Sequence, residues 1–123
     1  MINQSYKKLI VWQKAIELAK KAYELTKIFP KEEVYGLTSQ IRRSAVSVPA
    51  NIAEGSQRKT DKDFGKFILI AKGSLVELET FFILSHSFSY ISNDLFEDLM
   101  NSINELDKML YFFCKRLIKN VTS

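Results

Sequence analysis

Acid–base and nucleophilic catalysis is built most often on His, Cys or paired carboxylates, and this sequence offers few of them. His86 is the only histidine, and no HxxH or ExxH partner accompanies it. Cys114 is the only cysteine; the sole histidine lies 28 residues away, and aromatic neighbours suggest a buried, inert thiol. Glu77 and Glu79 stand two apart, so a helix turns them to different faces. Glu54, Glu77 and Glu105 have no histidine partners for a carboxylate metal site of the ferritin type. The run GSQRKT lacks the strand and lysine context of a phosphate loop. No catalytic residue, metal site or cofactor is therefore expected, and a binding function is.

The residues suited to binding are cations. Arg58, Lys59, Lys62 and Lys66 cluster in one short stretch, with Lys62 and Lys66 four apart on one helix face. Such side chains can neutralise phosphates and gain affinity by counterion release. No aromatic residue alternates with Arg58 and Lys59, so contact with the backbone, weak in base preference, is the form expected. Arg42 and Arg43 form a second pair beside Ile41 and Ala45, at the edge of a core stripe. They suit either phosphate contact or an ion pair with Glu54, Glu77 or a neighbouring subunit.

These residues must be positioned by few, long elements, because 123 residues contain only four glycines and two prolines. The length suits one domain with its own core. Formal net charge is +4, but residues 1–72 hold 14 Lys/Arg against 7 Asp/Glu, whereas residues 73–123 hold 4 against 7. The basic part suits a polyanion, or the basic end of one subunit could meet the acidic end of another. The opening residues MINQSYKKL lack the apolar core of a signal peptide, and no apolar run reaches the roughly 18 residues of a membrane span. A cytoplasmic location and no membrane partner are expected.

Apolar residues recur three and four apart along the chain, which predicts an all-α, antiparallel up-down four-helix bundle. The helices are expected at about 10–29, 37–54, 61–89 and 93–120. The first carries Trp12, Ala15, Ile16, Ala19, Ala22, Tyr23 and Thr26 inward and stops before Pro30. The second carries Leu37, Ile41, Ala45, Val48 and Ile52, is expected to kink at Pro49 or break in two there, and has Gly55 as its stop. Thr60 is the expected cap of the third, with Asp63 three residues on; Ser92 or Asn93 caps the fourth. Gly73, in mid-helix, suggests a close helix–helix approach.

Several helices hold more apolar residues than one stripe requires. Val11, Leu18 and Leu25 lie seven apart in the first; Leu69, Ile70 and Val76 make a second face on the third. Monomers rarely expose large contiguous apolar patches, so these six residues are the expected contacts of a homo-oligomer; the alternative is a wide core face with scattered surface residues.

From Gly36 to Phe67 the chain reads GLTSQIRRSAVSVPANIAEGSQRKTDKDFGKF, with IAKGSLVELETF after it and LIVWQKA and FPKEEVYG before it. This closely resembles the four-helix-bundle proteins encoded in intervening sequences of bacterial 23S rRNA genes. It is also similar to the accessory protein of diversity-generating retroelements. The motif positions shared with the family are Glu33, Gly36, Gln40, Arg42, Arg43, Ser47, Pro49, Asn51, Glu54, Gly55, Arg58, Gly73, Ser74 and Glu77. The resemblance implies a cytosolic bundle assembled as a pentameric ring, without catalysis. Its retroelement members bind nucleic acid and a reverse transcriptase. The expected function is thus a non-enzymatic, homo-oligomeric, RNA-associated accessory protein. The alternative is a scaffold, or a partner of a nucleic-acid enzyme, that never touches nucleic acid.

Overall fold

In the computed structural model, residues 1–122 are described, with side chains through Lys119. The four periodic stretches become α1 (Ile10–Thr26), α2 (Leu37–Ser56), α3 (Asp61–Ser87) and α4 (Asn93–Thr122). Short 3-10 turns at Gln4–Lys8 and Lys31–Glu33 precede α1 and α2. Each helix packs against the next in sequence, and α1 and α4 close the bundle more loosely. Two ion pairs span that looser seam: Lys14–Glu105 at 3.0 Å and Lys21–Asp98 at 3.2 Å. The hydrogen bond that Lys14 donates to Glu105, with the charge of that carboxylate, raises the Lys14 pKa above its ordinary value.

Helix ends follow local chemistry. α1 stops at Thr26, three residues short of the expected end. There the Lys27 and Phe29 N–H groups bond three residues back, to Glu24 and Thr26, and Pro30 follows. Thr60 caps α3 by accepting from the Asp63 N–H at 3.1 Å. Ser92 caps α4 by accepting from the Leu95 N–H at 3.2 Å. α3 ends at Ser87 rather than 89. Ser89 takes a left-handed φ of 64°, its N–H bonds His86 O and the Tyr90 N–H bonds Ser85 O, which is a Schellman closure without glycine.

α2 continues through Pro49 as one helix to Ser56, so it does not break in two. Gly55 is not its stop. It is buried in the last turn, and a Cβ there would lie 2.7 Å from Phe67 Cβ and 2.8 Å from Phe64 Cδ1. The expectation for Gly73 is also corrected: within the chain it is exposed, and a Cβ would meet nothing within 4 Å. The tight helix approach of this fold therefore belongs to Gly55.

Ile41 and Ile52 of α2, Ile68, Leu75, Leu78 and Phe82 of α3, and Leu99, Leu106 and Leu110 of α4 are fully enclosed. The two supposed interface faces separate cleanly. Val11, Leu18 and Leu25 are 4%, 3% and 8% exposed, whereas Leu69, Ile70 and Val76 are 54%, 51% and 57% exposed. The first three are thus core residues of the single chain, and the assignment of Val11, Leu18 and Leu25 to a subunit contact is corrected. α1 can seat this second stripe because Ala15, Ala19 and Ala22 keep its neighbouring face thin. Tyr23, expected inward, is 42% exposed instead.

The two glycines should respond oppositely to alanine in thermal melts. Gly55→Ala must push apart backbone-anchored atoms and should cost about 1–3 kcal/mol. Gly73→Ala, which relieves helix entropy in open space, should be neutral or stabilise the isolated chain by up to about 1 kcal/mol.

Candidate nucleic-acid interface

The up-down path brings three distant segments to one end of the bundle: the N-terminal turn, the α2–α3 turn and the last turns of α4. The Asn3 N–H donates to Gln57 Oε1 at 3.0 Å, and Gln57 Nε2 donates to Asn3 O at 2.7 Å. α4 returns to the same place, with the Phe64 and Phe113 rings 5.3 Å apart and Cys114 Sγ 3.8 Å from Gly65 O. Lys7, Lys8, Arg58, Lys59, Lys62, Lys66, Lys115, Arg116 and Lys119 therefore share this end with only Glu54, Asp61 and Asp63.

Within that end, Arg58 reaches Glu54 Oε1 at 3.0 Å, and its guanidinium lies 4.5 Å over the Phe67 ring. Lys66 lies 3.7 Å from Asp63. Both are exposed surface pairs, cheap to exchange for a phosphate. Lys59 and Lys62 are exposed and make no ion pair or side-chain hydrogen bond among the described residues. All four cations singled out from the sequence thus stand together. The sequence reading missed Lys7, Lys8, Lys115, Arg116 and Lys119, whose proximity follows from the antiparallel path alone.

At the opposite end seven carboxylates meet five cations, Lys21, Lys27, Lys31, Arg42 and Arg43. Glu24, Glu32, Glu33, Glu79, Asp94, Glu97 and Asp98 gather around the α1–α2 linker and the α3–α4 turn. The excess of cations is therefore concentrated at one end of the bundle, where residues 115–119 of the acidic half of the sequence join those of the basic half.

The groups with catalytic chemistry are occupied structurally. His86 Nε2 lies 2.6 Å from Asn93 Oδ1, and its ring stacks on Phe96 with centroids 4.2 Å apart. Cys114 is buried, and that burial raises its thiol pKa, which disfavours the nucleophilic thiolate. No group of three His, Cys, Asp or Glu side chains able to hold a metal occurs among the described residues. No helix among them is long and apolar enough to cross a membrane.

Residues 7–112 match the family described as 23S rRNA-intervening sequence protein. The chain belongs to that family. A crystal structure of a protein of unknown function, from the S23 ribosomal protein family of Bacteroides thetaiotaomicron, is similar at 29% identity. The similarity covers 86% of this chain and 99% of that one, with a TM-score of 0.80. No curated protein matches.

Several positions of the motif read from the sequence have visible structural work. Asn51 Nδ2 donates to Ser47 O at 2.8 Å and to Ser47 Oγ at 3.0 Å, while Ser47 Oγ and Ser74 Oγ lie 2.8 Å apart. This chain of bonds ties α2 to α3 two residues from the buried Pro49. Gln40 and Glu77 are exposed. Glu33 Oε1 accepts the Leu37 N–H at 3.2 Å, at the start of α2, where Gly36 supplies no side-chain cap. Glu33 Oε2 accepts the Tyr90 hydroxyl at 2.8 Å, so one carboxylate caps α2 and clasps the α3–α4 turn. That hydrogen bond, helped by partial burial and the Glu33 charge, raises the Tyr90 pKa.

Arg42 and Arg43 do not belong to the basic end. Thirteen residues of helix, about 20 Å, separate Arg43 from the last turn of α2. The ion pairs considered for them within the chain do not form, because Glu54 is taken by Arg58 and Glu77 contacts neither. Arg42 Nε instead donates to Thr26 Oγ1 at 2.9 Å, and its guanidinium lies 4.6 Å over Tyr23.

Glu33→Ala should lower stability in urea unfolding at neutral pH by about 1 kcal/mol, the size of a lost helix cap. Because the Tyr90 pKa is raised in the fold, the Tyr90–Glu33 contribution is complete below about pH 10 and is lost as pH rises through the folded value. Unfolding curves across that range should show the alkaline loss in the parent chain and a smaller one in Glu33→Ala.

Proposed function

We propose that this chain is a non-enzymatic, homo-oligomeric, cytoplasmic accessory protein that binds nucleic-acid backbone, RNA in the first instance, through the basic end of its bundle. The observation that carries this reading is the meeting of three chain segments whose Lys and Arg side chains outnumber carboxylates there by nine to three. Lys59 and Lys62, both unpaired among the described residues, are the first phosphate ligands; Arg58 and Lys66 join by exchanging weak surface pairs. Arg42 and Arg43 stand apart from this surface. The family's link to 23S rRNA intervening sequences favours RNA over duplex DNA.

The carboxylates gathered at the opposite end favour a second reading, in which the bundle is a protein scaffold whose ends recognise a partner or another copy. Fluorescence anisotropy separates the two. Labelled structured RNA should bind, with log affinity falling linearly against log salt. Lys59→Gln/Lys62→Gln should weaken binding roughly tenfold at low salt and flatten the slope by about one to two. Absence of binding at low salt would select the scaffold.

Assembly in this proposal uses the outer face of α3. Leu69, Ile70, Val76, Ile83 and Leu84 are exposed along it, and Gly73 and Thr80 leave its centre thin enough for another helix to approach. A pentameric ring is the form expected from the family. In light scattering, Leu69→Asp should shift the mass to that of a 14.2 kDa monomer while circular dichroism stays helical. Leu18→Asp buries a charge in the core and should abolish the fold instead. An unchanged oligomer mass for Leu69→Asp/Val76→Asp would remove α3 from the interface.

A further inference from the structure

A second cationic feature lies where α1 ends and α2 begins. A cleft of about 490 Å³ there is lined by Lys27, Lys31, Arg42 and Arg43, with the hydroxyls of Thr26 and Ser39 beside them. No carboxylate lines it. Seven carboxylates lie at this end of the molecule, and none of them reaches the cleft.

The cations are held differently. Arg42 is oriented: Nε donates to Thr26 Oγ1 at 2.9 Å, Nη2 approaches Tyr23 O at 3.4 Å, and the guanidinium lies over the Tyr23 ring. Thr26 is itself fixed, since its hydroxyl donates to Ala22 O at 2.7 Å. Arg42 Nη1 is left without a partner among the described residues. Arg43 and Lys31 make no ion pair or side-chain hydrogen bond there, while Lys27 contacts the exposed Glu24 at 3.1 Å. A buried hydroxyl thus orients one guanidinium, and two further cations have unspent charge facing the same space.

We propose that this cleft binds a phosphoryl group. Two arginines, two lysines and adjacent hydroxyls supply the charge and the multiple donors that phosphate oxygens accept, and a planar guanidinium can meet two such oxygens at once. The volume admits more than a bare ion, and Phe29, Pro30 and Val34 add an apolar wall for the group that carries the phosphate. The same chemistry is offered by a phosphorylated small molecule and by the 5′-phosphate of a nucleic-acid strand. The site lies about 20 Å along α2 from the basic end, so it does not depend on that surface.

Calorimetric titration with sodium pyrophosphate at constant ionic strength tests the site. One saturable site per chain is expected. Arg43→Gln and Lys31→Gln should each weaken it tenfold or more, and Lys59→Gln/Lys62→Gln should change it less than twofold. A ten-nucleotide RNA with and without a 5′-phosphate identifies the source. Tighter binding of the phosphorylated strand, abolished by Arg43→Gln, assigns the strand end; pyrophosphate binding with no such preference assigns a small molecule. Either result supports the site. Three results overturn it: no saturable heat, equal weakening by the Arg43 and Lys59/Lys62 variants, or an altered oligomer mass in Arg43→Gln. The second would mean diffuse charge, and the third that carboxylates of another copy fill the cleft. RNA binding lost only in the Lys59/Lys62 variant would leave the basic end intact as a function whatever happens here.

Discussion

The backbone of Gly55 against Phe64 and Phe67 is the contact on which the arrangement of this bundle turns. A side chain at that position would hold α2 and α3 apart where the chain reverses between them. With none, the two helices meet closely, and their pairing is the most extensive in the molecule. The Ser47–Ser74 bond, with Asn51 behind it, fixes the same pair farther along. Close packing at one end and a polar clasp beyond it leave little freedom to slide one helix past the other. The phenylalanines do double duty, since Phe67 also lies under Arg58 and Phe64 receives Phe113 of α4.

That geometry determines the electrostatics. Because α2 and α3 reverse tightly, the Arg58–Lys66 stretch is carried at the tip of the bundle and the N-terminal turn is tied beside it through Gln57. α4, antiparallel to α3, then has to finish at this tip, and it brings Lys115, Arg116 and Lys119 with it. Gathering so many cations opposes folding through mutual repulsion, which a polyanion would relieve. The acidic residues meet at the other tip for the same topological reason. The cleft of Arg42 and Arg43 gathers cations at that same tip, on its α1–α2 side, apart from the carboxylates.

Helix periodicity made the elements legible. The apolar spacing placed four helices within three residues of their observed ends, and Thr60 and Ser92 act as caps for the reason their types suggested. The errors at the ends have local causes. Pro30 is preceded by tight i→i−3 turns that end α1 early, and Ser89 adopts a left-handed conformation usually left to glycine. The glycines were harder to read. A glycine in a helical stretch is compatible with a stop, a close approach or an exposed position, and only neighbours decide among them. Gly55 makes the close approach expected of Gly73, and Gly73 is an exposed mid-helix residue that neither stops its helix nor meets another.

The sequence by itself determined which residues share a helix face, where the helices start, and the family to which the chain belongs, because these depend on neighbours within a few turns and on a long contiguous motif. Only the tertiary structure decided what each face meets. Val11, Leu18 and Leu25 have the same apolar character as Leu69, Ile70 and Val76, yet α1 is enclosed on that side and α3 is open. Likewise Lys59 and Arg116 are 57 positions apart, and nothing local says that they share an end of the molecule. Side-chain type and spacing fix what a residue can do. Packing between distant segments fixes which of those interactions can form, because burial and charge proximity are properties of the assembled chain.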